Sequence, residues 1–167
     1  MKKNLFYYIK KLIRIYYFIL YYVIIILVPF LIVTVTYQVV ARYIDFIPRF
    51  LWTEEVSRFT LIWLVMIGAA LGIYNRDHFD IDMFSNLSPR LKRLRMMFID
   101  FSIILFTFFL IRYGWVFAKS GLRRISLAAR IPMAWIYGSF LFLGISAIIF
   151  QVKHILEYFE KSNHKYY

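Results

Sequence analysis

The 167-residue chain contains no cysteine. Disulfides, thiol redox chemistry and Cys-ligated metal centres are excluded at once. Histidine is nearly as scarce. His78, His154 and His164 are the only three, and none lies mid-way along an apolar run, so haem has no axial ligand within a span. Acidic residues number nine against twenty-one Lys and Arg. The length suits one compact unit and leaves no room for a second, soluble domain.

What the chain has is apolar surface: 62% hydrophobic residues, 22% aromatic residues and a mean hydropathy of +0.66. A soluble domain of this size would have too little polar surface to stay dispersed. The net charge of +12 invites a nucleic-acid reading. The basic residues, however, lie between apolar blocks and form no domain of their own, so no nucleic acid is expected. Charge flanking membrane spans is the simpler account, with lipid phosphates as its partners. The basic N-terminus is followed by an apolar run far longer than a signal-peptide core, with no small-x-small cleavage site, so no cleaved signal is expected.

Four runs are long enough to cross a bilayer, which needs about 20 apolar residues. The first covers residues 15–41, between Arg14 and Arg42. Its tyrosines Tyr16, Tyr17, Tyr21 and Tyr22 suit an interface belt, so the helix is expected to begin as a surface-lying segment near Asn4 and enter the membrane near Tyr21. The second, residues 53–75, takes Thr53 as its expected N-cap. The third, residues 90–118, follows Ser88-Pro89, a good helix start with Ser as cap and Pro at the first helical position. The fourth, residues 131–155, has Pro132 in its first turn and Trp135 and Tyr137 as an interface belt. The expected fold is thus an all-α integral membrane protein. It has one domain over residues 1–167, with four transmembrane helices and an interfacial N-terminal segment on the cytoplasmic side.

Four spans put both termini on one face. That face, with the 2–3 loop, holds thirteen Lys and Arg, against eight on the other. The excess predicts cytoplasmic termini. The 3–4 loop, from Lys119 to Arg130, is basic for an outer loop.

Few residues carry chemistry. Glu54 and Glu55 stand beside Trp52 and Arg58 at the outer end of span 2. Paired carboxylates suit acid–base work, ion coupling, or a helix N-terminus whose dipole favours anions. Glu54 and Arg58 are also i,i+4 partners. Arg112 is costly, since a mid-membrane Arg carries a penalty of roughly 2.5–3.5 kcal/mol on insertion scales. It either snorkels toward Lys119, about 10 Å of helix away, or pairs with Glu54 or Glu55. Asp100 lies about 18 Å along the same helix from Arg112, too far to pair with it. It is closer to Arg93 and Arg95. His78, Asp80 and Asp82 alternate in the 2–3 loop and are weak metal candidates; their interleaved Phe79, Ile81, Met83 and Phe84 suit a segment lying in the headgroups. Gly68-x-x-x-Gly72, and Gly114-x-x-x-Ala118 on span 3, allow close helix approach.

Polar residues within the spans are sparse: Thr34, Thr36 and Gln38 in the first, and little beyond Ser139, Ser146 and Gln151 in the fourth. No matched halves suggest an inverted repeat. A hydrophilic solute needs a lined path and a midplane site, so a transport role requires a partner. A four-span membrane enzyme of the glutathione-transferase-like type is the alternative, but no span carries its polar cluster of Arg, Asn and His. A self-sufficient multidrug exporter would need an acid in span 1, which is absent.

The order of motifs is nonetheless distinctive. Arg42-Tyr43 is followed by Trp52-Thr53-Glu54-Glu55-Val56-Ser57-Arg58. Gly68-Ala69 and His78-Phe79-Asp80-Ile81-Asp82 come next, then Ile131-Pro132-Met133-Ala134-Trp135. With four spans, this resembles the small membrane subunit of TRAP transporters, the DctQ-like family, over roughly Arg42 to Tyr137. The resemblance implies a three-part uptake system without enzymatic activity or cofactor. A periplasmic binding protein captures an organic acid such as sialic acid, a C4-dicarboxylate or a sugar acid. A large multi-span permease subunit moves it by a sodium-driven elevator motion. The small subunit widens that partner's static scaffold in the inner membrane. The basic 3–4 loop, with Arg123 and Arg124, is then a candidate dock for the binding protein.

Overall fold

The computed structural model describes residues 2–44, 46–75 and 89–163. These form four helices: α1 (Lys2–Tyr43), α2 (Leu51–Asn75), α3 (Pro89–Gly121) and α4 (Ala134–Asn163). Each contains a segment long and apolar enough to cross a membrane. The motif His78, Asp80 and Asp82 lies outside the described residues, as does Ser88.

Helix α1 has 42 residues, about 63 Å at 1.5 Å per residue, twice the hydrocarbon thickness of about 30 Å. It is helical from Lys2, near the expected start at Asn4, and continues without a break past the tyrosine belt and through Pro29. Its C-terminal carbonyls are capped by Arg49, which donates from Nε to Ala41 O (3.1 Å) and from Nη2 to Arg42 O (3.3 Å). A cation at that end is favoured by the helix dipole as well.

Thr53 does not cap α2. The helix already begins at Leu51, and the Thr53 hydroxyl turns back to donate to Phe50 O at 2.7 Å. Pro132 likewise sits ahead of α4, not in its first turn. It forms an antiparallel bridge with Ile125, and its carbonyl accepts the Trp135 amide at 3.1 Å as the helix begins. Pro89 does hold the first position of α3, where its missing N–H costs nothing.

The helices stand in the spatial order α1, α2, α4, α3. Helix α4 touches all three others, whereas α3 touches only α4 among the described residues. The core joins Ile13 and Leu20 of α1, Ile67, Ala70 and Leu71 of α2, and Leu143 and Phe150 of α4. Tyr16 and Tyr17 extend it. Tyr17 stacks on Tyr74 at 4.2 Å, and the Tyr16 hydroxyl bonds Ser146 Oγ at 2.8 Å. Lys153 lies 3.4 Å above the Tyr74 ring centroid, and His154 Nε2 is 2.9 Å from Ile73 O, fastening the far end of α4 to that of α2.

Glycine sets the distance between α3 and α4. A Cβ on Gly114 would come within 3.1 Å of Leu141 N, and one on Gly144 within 2.8 Å of Ile111 Cγ1. Gly68 has nothing within 4 Å of its Cβ position. The expected close approach at Gly68 is therefore not made inside this chain, although Gly72 is buried.

Candidate functional site

The connection from α3 to α4 is a short hairpin folded over the start of α2. Ser126 N donates to Ile131 O (2.9 Å) and Met133 N to Arg124 O (2.8 Å), so residues 124–126 run antiparallel to 131–133. The turn closes at Arg130, the one described non-glycine residue with positive φ, at 54°. That conformation is disfavoured for a side-chain-bearing residue, and the bonds across the turn from Ser126 to Ile131 span it.

Glu55 ties the same turn to α2. From the first turns of that helix, its Oε2 accepts the Ser126 hydroxyl at 2.6 Å and the Ala129 amide at 2.7 Å, and its Oε1 accepts the Ala128 amide at 3.2 Å. Three donors converge on one carboxylate, and bonds to a charged acceptor are the stronger kind. Glu55 is thus a structural clamp across more than seventy residues of sequence.

Its neighbour behaves differently. Glu54 points outward and pairs with Arg58 Nη2 at 2.8 Å, one turn along the same helix. Both side chains are about two-thirds exposed (66% and 63%), so this pair is a surface contact of small worth. With Glu54 and Glu55 both engaged, neither reaches Arg112. Helices α2 and α3 are not neighbours among the described residues, because α4 stands between them. Asp100 is half-buried on α3.

The clamp presents a consistent surface. Arg123, Arg124 and Arg130 are exposed, and so are Ile125 and Leu127, the latter at 95%. Trp52 and Trp135 are exposed at the same end of the bundle, and the Trp135 carbonyl accepts Trp63 Nε1 at 3.0 Å. Arg42 is exposed at the end of α1. A depression of about 610 Å³ next to the hairpin is lined by Trp115, Lys119, Ser120, Arg123 and Arg124 among others. The exposed side chains of this surface are mainly basic and apolar, and the one described hydroxyl held against a carboxylate, Ser126 on Glu55, is buried in the clamp. Among the described residues no three His, Cys, Asp or Glu side chains are grouped to hold a metal.

Four hydroxyls buried within the helix bundle bond the carbonyls of their own helices: Ser57 to Thr53, Thr60 to Val56, Ser139 to Ile136 and Ser146 to Phe142. Gln38 is spent on Thr53 O (3.0 Å) and Ser57 Oγ (2.6 Å) between α1 and α2. Back-bonding of this kind is the ordinary way a helix satisfies a buried hydroxyl. Gln151 is different. It is buried, and neither Nε2 nor Oε1 has a partner among the described residues.

Residues 31–161 match the family model described as the DctQ component of tripartite ATP-independent periplasmic transporters. A Haemophilus influenzae protein assigned as a TRAP transporter small permease protein is 27% identical over 100 residues, covering 58% of this chain and 62% of the relative. The C4-dicarboxylate TRAP transporter small permease protein DctQ of Vibrio cholerae is 30% identical over 78 residues, covering 46% of this chain and 33% of the relative. In both comparisons the chain spans less than two thirds of the relative's length.

Proposed function

The chain belongs to the DctQ family of TRAP transporter small permease proteins, and from that membership we propose that it scaffolds a large permease subunit in a sodium-driven uptake system for organic acids. It is a multi-pass membrane protein and a transporter subunit, not an enzyme. Its work is mechanical. The large subunit carries the solute path, and this chain, a single four-helix domain in the inner membrane, holds that subunit's static part against tilt and sinking. Both termini face the cytoplasm. The Glu55-clamped hairpin faces the periplasm and helps dock the substrate-binding protein through Arg123 and Arg124. The cargo is a carboxylate such as sialic acid or a C4-dicarboxylate; the second is what the Vibrio cholerae relative is named for.

The observation that carries this reading is the spending of the buried hydroxyls on their own helix backbones. A chain so built has no hydrated corridor and contributes to transport only through a partner. The test is uptake of labelled organic acids into vesicles. This chain reconstituted alone should carry none. The large subunit and binding protein should lose most sodium-dependent uptake when it is left out. Solute movement by the isolated chain, or full uptake without it, would refute the proposal.

A further inference from the structure

Two polar side chains on the outer flank of the α3–α4 seam remain unaccounted for. Arg112 is exposed on α3, well inside an apolar helix, and has no ion pair or hydrogen bond among the described residues. Gln151 on α4 is only 4% exposed, and both its amide atoms lack partners. Both line one groove of about 460 Å³, whose other walls include Ile104, Thr107, Phe108 and Ile148.

The antiparallel register brings the two together. Gly114 lies against Leu141 and Gly144 against Ile111, which sets Arg112 level with Leu143. Gln151 is then about 12 Å further along the seam. Side chains on a helix lean toward its N-terminus. Because α3 and α4 run in opposite directions, Arg112 and Gln151 lean toward each other from the two ends of the groove. A buried amide without a partner and a cation at membrane depth are both costly. A helix supplying a carboxylate to Arg112, and a hydrogen-bonding group toward which the enclosed Gln151 amide turns, removes both costs at once. Acyl chains offer neither group, and Gln151 is too short to snorkel.

We propose that the α3–α4 groove seats a transmembrane helix of the large permease subunit, with a carboxylate on that helix facing Arg112 and a hydrogen-bonding side chain facing Gln151. The inference rests on the reading that this chain assembles with such a subunit. It adds the face, the depth and the chemistry of the contact. Helix α3, held only by α4 among the described residues, gains its second neighbour in the complex.

The lack of native cysteine makes the test direct. A benzophenone carried on Phe108→Cys, in the groove, and separately on Ile26→Cys, on the exposed face of α1, is photolysed in membranes co-expressing the large subunit. The Phe108 probe should give an adduct with the large subunit, and the Ile26 probe should not. An adduct of two copies of this chain, or of phospholipid alone, from Phe108 would overturn the proposal. So would large-subunit adducts from Ile26 alone, which would leave the assembly reading intact. If the unmodified chain recovers no large subunit at all, both readings fall. Independently, Arg112→Leu and Gln151→Leu keep the helices apolar and insertable. Arg112→Leu should cut recovery of the large subunit by about tenfold or more, as loss of one partner from a desolvated charge pair does, and Gln151→Leu by about threefold, as loss of an interhelical hydrogen bond in a membrane does. Arg112→Lys should retain most of it. Unchanged recovery with both Leu variants, at equal membrane levels, would sink the contact.

Discussion

The carboxylate of Glu55 and the hydroxyl of Ser126 meet at 2.6 Å although 71 residues separate them. With the amides of Ala128 and Ala129 completing the set, this contact ties down the hairpin that carries the exposed Arg123, Arg124 and Arg130. Glu55→Gln replaces an acceptor-only group with one whose NH₂ faces backbone N–H donors. Amide exchange at Ala128 and Ala129 should then rise several-fold, while exchange in the middle of α4 stays unchanged. Ser126→Ala removes one of the three bonds and should have a smaller effect in the same direction. Unaltered exchange in the Glu55 variant would mean that the hairpin holds its shape without the clamp.

Glu54 offers the contrast within one dipeptide. Its bond to Arg58 is shorter than some that Glu55 makes, yet both partners stand in the open. Exposed i,i+4 pairs contribute about 0.3–0.5 kcal/mol. Arg58→Ala should therefore leave thermal unfolding in detergent nearly unmoved. A large drop would show that Arg58 has a role beyond its pair.

Charge at the hairpin should matter for encounter more than for folding. Arg123 and Arg124 are exposed, and rim charges act mainly through the association rate and its salt dependence. The double variant Arg123→Glu, Arg124→Glu should slow binding-protein-dependent uptake, more so at low ionic strength, while the subunit still co-purifies with the complex. Normal uptake would remove the hairpin from the docking path.

The four spans were readable because bilayer thickness dictates their length, and uncharged runs between Arg14 and Arg42 or Arg130 and Lys153 have no other use. The start of α3 at Pro89 was readable for a local reason, the preset φ of proline. Neighbour order was not, and that misdirected the reading of Arg112. Depth along the span suggested Glu54 or Glu55 as its partner, but α4 stands between α2 and α3. The three-donor site around Glu55 was hidden as well, since two donors are backbone amides of alanine, which carry no sequence mark. Gly114 was legible from its spacing to Ala118, whereas Gly144 stands in no such pattern and Gly68-x-x-x-Gly72, a pattern frequent by chance in membrane helices, meets no neighbour at Gly68.

Glycines make that last distinction measurable. A Cβ at Gly121 would stand 2.6 Å from both Ala134 N and Tyr137 Cδ2. Backbone has to move to admit it, and overpacking of this kind costs about 1–3 kcal/mol. Gly121→Ala should lower the unfolding midpoint of the isolated chain. Gly68→Ala meets nothing and should be neutral, or stabilising by up to about 1 kcal/mol through helix propensity. Equal losses at both positions would contradict this packing.

Tyr16 is the α1 residue whose polar tie to α4 is most open to a clean test. Ser146 Oγ already gives its hydrogen to Phe142 O at 2.8 Å, so in the 2.8 Å contact with Tyr16 the phenol is the donor. Tyr16→Phe removes that donor and keeps the ring against Phe150, 5.6 Å away between centroids. Ser146 loses an optional second bond but keeps its own, so no buried group is orphaned. The cost should match the interhelical hydrogen bonds measured in membranes, about 0.6 kcal/mol on average and no more than about 1.7. Ser146→Ala is harsher on the phenol, which becomes an unmet donor, so its loss should exceed that of Tyr16→Phe. Adding Tyr16→Phe to Ser146→Ala should then recover part of that loss. Additive losses in unfolding assays of the two single variants and the double variant would show that the two hydroxyls do not interact.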